Sequence, residues 1–120
     1  FWHILVVPHL KIYSKNVYEG LNLKLTKPGD NVNILIHYLR KNRVEEAGRF
    51  FLNDLESSIL QLCPKLSKLQ TWLQSSGLPG VLISGSGPAV FGLASSRRQV
   101  ESLKILLTKR YRQVYVVRTL

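Results

Sequence analysis

The chain has 120 residues, 45% of them hydrophobic, and its 17 basic side chains outnumber seven acidic ones to leave a net charge of +10. Such hydrophobic content excludes a disordered tail, which pairs low hydrophobicity with high net charge, and the length fits one domain spanning residues 1–120. The excess of positive charge directs attention to a polyanionic partner: nucleic acid, a phosphorylated metabolite or an acidic lipid surface.

Cys63 is the only cysteine, so neither an internal disulfide nor a cysteine metal site can form. It is expected to be a small buried apolar residue beside Pro64. No apolar run approaches the roughly 18 residues of a membrane helix, and Phe1 to Val7 lacks the basic leader and cleavage site of a signal peptide. The chain contains no Met and opens inside a strand pattern, so the expectation is a piece of a longer protein.

Phe1 to Val7 is a continuous apolar run closed by Pro8, as suits a strand in the middle of a sheet. His3 and His9 stand without partners at any ligand spacing, which favours structural roles. Ser14 is expected to cap a helix that carries Val17, Tyr18 and Leu21 on one face, ending at Gly20 to Asn22. By its spacing the ring of Tyr18 is expected in the core, the alternative being a platform for stacking a ligand. Lys27 to Asp30 forms a turn, and Val32, Leu35, Ile36 and Leu39 repeat as an amphipathic helix. A further helix is expected over Val44 to Leu52, with Glu45 and Glu46 in the first turn, where acids are favoured.

Asn53 and Asp54 precede a helix through Leu55, Ile59 and Leu62, and capping is their ordinary role. Pro64 opens the next helix, Lys65 to Ser75, with Leu66, Leu69 and Leu73 on one side and Trp72 half-buried. Strands follow at Val81 to Ile83 and Ala89 to Ala94. Between them lies Ser84-Gly85-Ser86-Gly87-Pro88. Its two glycines permit backbone angles closed to other residues. Taken alone the loop is expected to be a tight hairpin turn, the alternative being a nest that presents backbone N–H groups to an anion. Ser95 or Ser96 then caps a helix from Arg97 to about Arg110. Its apolar side is expected to hold Val100, Leu103, Ile105, Leu106 and Leu107. Gln113 to Arg118 alternates as the last strand.

The order predicts an α+β fold, a ferredoxin-like split βαβ sandwich. It has a four-stranded antiparallel sheet, helices on one face and an enlarged first helical crossover. An RNA-recognition module shares that plan, and the charge suits a phosphate backbone. Such modules place aromatics on the exposed face of central strands within a Gly-aromatic motif. Phe91 is the only aromatic in the two strands flanking the loop and that motif is missing, so nucleic acid is not the expected partner.

Ile83 to Leu93, with Ser84-Gly85-Ser86-Gly87-Pro88 inside it, resembles the third motif of the GHMP small-molecule kinases. Asn53-Asp54-Leu55-Glu56, then Leu62-Cys63-Pro64-Lys65-Leu66, is similar to one branch, the 4-diphosphocytidyl-2-C-methyl-D-erythritol kinases. Pro8 to Leu23 and the closing Val114 to Thr119 resemble that branch too, with Ser14 in place of the more usual Thr and Ile83 in place of Met.

The resemblance implies the carboxyl-terminal domain of an ATP- and Mg²⁺-dependent kinase, in which Ser84, Gly85, Ser86 and Gly87 support the phosphate loop. Ser14 and Tyr18 would line the pocket for a cytidine-diphospho sugar-alcohol substrate, Tyr18 by stacking on cytosine. Asn53 and Asp54 would keep a capping or interdomain role. It places the catalytic Asp, its Lys and the main ATP loop in an amino-terminal domain that would be the chain's principal partner. No catalytic or metal-binding residue is therefore expected here, and the fragment alone should be inactive. The compartment implied is bacterial cytoplasm or plastid stroma, with no membrane partner. Homoserine and phosphomevalonate kinases remain alternatives within the superfamily.

Overall fold

The computed structural model describes residues 1–19, 30–51 and 53–119. The elements are β1 (Trp2–Val7), α1 (Ser14–Glu19), α2 (Asp30–Arg40), α3 (Val44–Gly48), α4 (Glu56–Leu62), α5 (Lys65–Ser75), β2 (Gly80–Ile83), β3 (Val90–Ala94), α6 (Arg97–Leu107) and β4 (Gln113–Arg118). The expected helix end at Gly20 to Asn22, with Leu21, and the turn at Lys27 to Gly29 lie outside the described residues.

The four strands form one sheet in the order β2-β3-β1-β4. Every neighbouring pair is antiparallel, and Ile4 of β1 lies opposite Gly92 on one side and Val116 on the other. The opening apolar run is thus a central strand, as its continuous hydrophobicity predicts.

Strand alternation decides which side chains enter the core. Ile4 and Val6 from β1, Ile83 from β2, and Val90 from β3 are fully buried on one face, with Val114 of β4 nearly so. Against them pack Val17 of α1, Ile59 of α4, Leu66, Leu69 and Leu73 of α5, and Val100, Leu103 and Leu107 of α6. Gly92 lies on this face, where a Cβ would stand 2.5 Å from Leu78 Cδ1, so its bare backbone leaves room for that leucine.

The opposite face carries His3, Leu5, Leu82, Phe91, Leu93, Tyr115 and Val117 by register. Short helix α3 covers its β2–β3 end, where Ala47 and Leu93 are buried outside the main core. The approach is so close that a Cβ on Gly48 would fall 2.1 Å from the Pro79 carbonyl oxygen.

Several boundaries differ from the periodicity. The helix expected to reach Leu52 stops at Gly48. Two of the residues that would have prolonged it turn to different partners: Phe50 stacks on Tyr38 of α2 and Phe51 packs on Phe91, each 5.7 Å between ring centres. In α6, Ile105 and Leu106 are 66% and 50% exposed, because the buried stripe runs only through Val100, Leu103 and Leu107. Cys63 is half-buried rather than enclosed. Ser96, not Ser95, caps α6, its hydroxyl accepting from the Gln99 N–H at 3.2 Å.

Candidate functional site

The glycine loop leaves the sheet where β2 ends and returns where β3 begins. The Ser84 N–H donates to the Ala89 carbonyl at 2.8 Å, and the Gly87 N–H donates to the Ser84 carbonyl at 2.9 Å. These two bonds close a turn with Gly85 at φ 54° and Gly87 at φ 81°, in the left-handed region that favours glycine. They also consume two of the four N–H groups in Ser84 to Gly87. Among the described residues, the N–H groups of Gly85 and Ser86 have no partner. Gly85 is exposed and Ser86 half-buried, so the loop holds two adjacent unpaired backbone donors beside the exposed Ser84 hydroxyl.

Asn53 holds the loop in place. Its Nδ2 donates to the Ile83 carbonyl at 2.7 Å and to the Gly85 carbonyl at 2.8 Å. Its Oδ1 accepts from the Leu55 N–H at 3.0 Å, which fixes the entry to α4. One side-chain amide thus ties a helix start to both shoulders of the loop, using both amide hydrogens and one acceptor site. Asp54 is exposed beside it.

On the other flank, Ser14 is the first residue of α1 rather than its cap. The Tyr13 carbonyl takes the cap position, accepting from Asn16 and Val17 at 3.0 and 3.3 Å. That frees the Ser14 hydroxyl, which lies 2.9 Å from the Ser86 hydroxyl and links α1 to the loop. Helix α1 is anchored from behind by the buried Val17 and by the Ser58 hydroxyl, which donates to the Val17 carbonyl at 2.7 Å. Tyr18 stands one turn beyond Ser14 on the same side. Its ring is 59% exposed, so of the two positions open to it from sequence the core is excluded.

The structure therefore brings Ser14, Ser84 to Gly87 and Asn53 together and leaves Tyr18 free at the edge of the same surface. The sequence held no signal for the clamp by Asn53, because its loop partners lie 30 and 32 residues away. The anchoring role of Ser58 was equally hidden, its partner lying 41 residues back. His3 is structural: its Nε2 lies 2.7 Å from Thr119 Oγ1 and its ring meets the edge of Phe91. Burial lowers its pKa from the ordinary 6.5. Among the described residues no group of three or more His, Cys, Asp or Glu side chains could hold a metal ion. On the outer sheet face Phe91 is packed between Phe51 and His3, so it is no free stacking platform for an RNA base.

A four-stranded antiparallel split βαβ sheet whose first hairpin after the helices is a clamped Gly-Ser loop defines the class: an α+β domain of ferredoxin-like plan. Residues 35–112 match the family described as GHMP kinases C terminal, and the chain belongs to that family. It is 36% identical over 110 residues to the 4-diphosphocytidyl-2-C-methyl-D-erythritol kinase of Syntrophus aciditrophicus, covering 90% of this chain and 37% of the relative. With the Clostridioides difficile kinase of the same name the identity is 33%, over 92% of this chain and 37% of the relative.

A crystal structure of 4-(cytidine 5'-diphospho)-2C-methyl-D-erythritol kinase superposes with a TM-score of 0.74 at 26% identity, covering 96% of this chain and 41% of that one. Homoserine kinase from Cytophaga hutchinsonii superposes at 0.83 with 22% identity, over 98% of this chain and 41% of that one, a likeness of fold. The chain thus spans well under half the length of the relatives it matches. No helix among the described residues is long and apolar enough to cross a membrane.

Proposed function

We propose that this chain is the carboxyl-terminal part of an ATP-dependent small-molecule kinase whose substrate is 4-diphosphocytidyl-2-C-methyl-D-erythritol. The observation that carries the reading is the glycine loop, clamped by Asn53 with the N–H groups of Gly85 and Ser86 left unpaired among the described residues. Preorganised donors of this kind stabilise charge on a transferring phosphoryl group without reorganising during the reaction. Sequence likeness to proteins of that name, over about nine-tenths of the chain, supports the choice of substrate.

In this reading Ser84 to Gly87 support the ATP phosphates from one side, and Ser14 positions the loop through Ser86. The exposed ring of Tyr18 offers a face for the cytosine base. The described residues fit the anionic phosphates but hold no carboxylate set for Mg²⁺. The metal ligands, the catalytic base and the main phosphate loop belong to the remainder of the protein, which is this chain's partner.

A coupled assay that follows ADP release from the full-length protein tests the reading. Turnover is expected with 4-diphosphocytidyl-2-C-methyl-D-erythritol, and Tyr18→Ala should raise KM for that substrate more than it lowers kcat. Turnover of homoserine or phosphomevalonate in its place would overturn the choice of substrate.

A further inference from the structure

A second surface feature uses none of the glycine-loop residues. It is a groove of about 770 Å³ between the start of α5 and the end of α6. Its floor is apolar: Leu69, Trp72, Leu106 and Leu107. Its rim carries Lys65, Lys68, Lys109 and Arg110. Past Tyr111 it continues into a shallower channel lined by His9 and Arg112. None of these lining residues is acidic.

Local structure accounts for only two of the four rim cations. The ion pairs among the described residues are Lys15–Glu19, Arg43–Glu46 and Arg97–Glu101, so the four rim cations have no acidic partner there. Lys109 and Arg110 follow the end of α6, where positive charge complements the helix dipole. Lys65 and Lys68 sit in the first turn of α5, at the positive end, where a cation lowers helix stability. Beside them Trp72 and Leu106 keep 38% and 50% of their surfaces in water. An apolar floor left wet and, at Lys65 and Lys68, cations at the positive end of a helix are two separate costs, and one occupant with an apolar body and an anionic head relieves both.

We propose that this groove binds a small anionic amphiphile: a phosphorylated molecule with an apolar tail. The cavity lies within the roughly 300–1,000 Å³ of small-molecule sites. Its nine lining residues fall far short of the roughly 20–30 a side that a stable protein interface uses. The segment Pro8 to Leu10 walls the groove's extension, and Ile12 just beyond it packs on Gly87. The groove nonetheless shares no lining residue with Ser84 to Gly87, Ser14, Tyr18 or Asn53.

Calorimetric titration of the full-length protein with n-decyl phosphate, kept below its micelle concentration, tests the proposal. One saturable event is expected, unchanged by saturating ATP. Pairing Lys68→Glu with Lys109→Glu, or introducing Leu106→Gln, should weaken it at least about tenfold, and Lys68→Gln should weaken it less than the charge reversal. All three positions are exposed, so these variants retain the fold. Inorganic pyrophosphate and decanol should each bind at least about tenfold more weakly, since each meets half of the site. Absence of a saturable event, displacement by ATP, or indifference to the substitutions overturns the proposal. So does groove-dependent binding of an acidic peptide, single-stranded RNA or phosphatidylglycerol vesicles when decyl phosphate is inert.

Discussion

Asn53 shows how much one side chain can decide. Its amide satisfies two carbonyls on the loop and one N–H at the start of α4 in a half-buried position. Asn53→Ala should cost about 1–3 kcal/mol, the ordinary penalty for leaving partly buried polar groups unpaired. Asn53→Asp is the sharper variant, because it keeps the acceptor for the Leu55 N–H but turns a negative oxygen toward the carbonyls of Ile83 and Gly85. It should destabilise at least as much as alanine in urea unfolding, and an Asp variant as stable as wild type would show that the clamp is unimportant. His3 supplies a pH dependence. Burial holds its folded pKa below 6.5, so the folded state binds a proton less readily than the unfolded chain. Its contribution to stability is present above that value and is lost as pH falls from 6.5 toward the folded pKa. His3→Gln should flatten this part of the stability profile, read from urea midpoints at about pH 7 and about pH 5.

At the scale of elements, hydrophobic period carried most of the information. The central strand, the buried side of α5 and the four-stranded order were legible because burial of a strand or a helix stripe leaves a direct trace in sequence. The limits of elements were not, because tertiary contacts set them. Gly48 ends α3 against the backbone at Pro79, and no local pattern records that approach. The broad apolar run Ile105 to Leu107 could not reveal that only Leu107 turns inward. For the site, the glycine loop itself was visible as a motif. Its support was not, since Asn53 and Ser14 reach it from elements far along the chain. The pair Ser95 and Ser96 is a case where sequence left two choices and geometry selects one. Ser96 accepts from the Gln99 N–H, whereas the Ser95 hydroxyl reaches Glu45 at 3.3 Å on the surface. Ser96→Ala should therefore cost about 1 kcal/mol, as loss of a helix cap does. Ser95→Ala should stay within roughly 0.5 kcal/mol, as surface substitutions usually do. Thermal unfolding of the two variants side by side separates them.

The whole molecule is governed by its charge. A surplus of ten positive charges occupies a body of about 39 × 36 × 24 Å. The ion pairs among the described residues join only side chains three or four positions apart along the chain, so they relieve little of the repulsion between distant surfaces. At about 0.01 M salt the Debye length is roughly 30 Å, comparable to the molecule itself, and cations on opposite sides still repel one another. At about 0.1 M it shrinks to roughly 10 Å, and only near neighbours interact. Compaction of the chain should therefore become easier across this range, because the folded state concentrates charge that the unfolded chain spreads out. Tm is expected to rise by a few degrees between those two sodium chloride concentrations. The same charge would favour the anions proposed for the glycine loop and for the α5–α6 groove. A Tm that stays flat or falls would show that the cations are already spaced beyond mutual influence. Attraction of phosphates to this domain would then rest on the local geometry of the glycine loop and the α5–α6 groove alone.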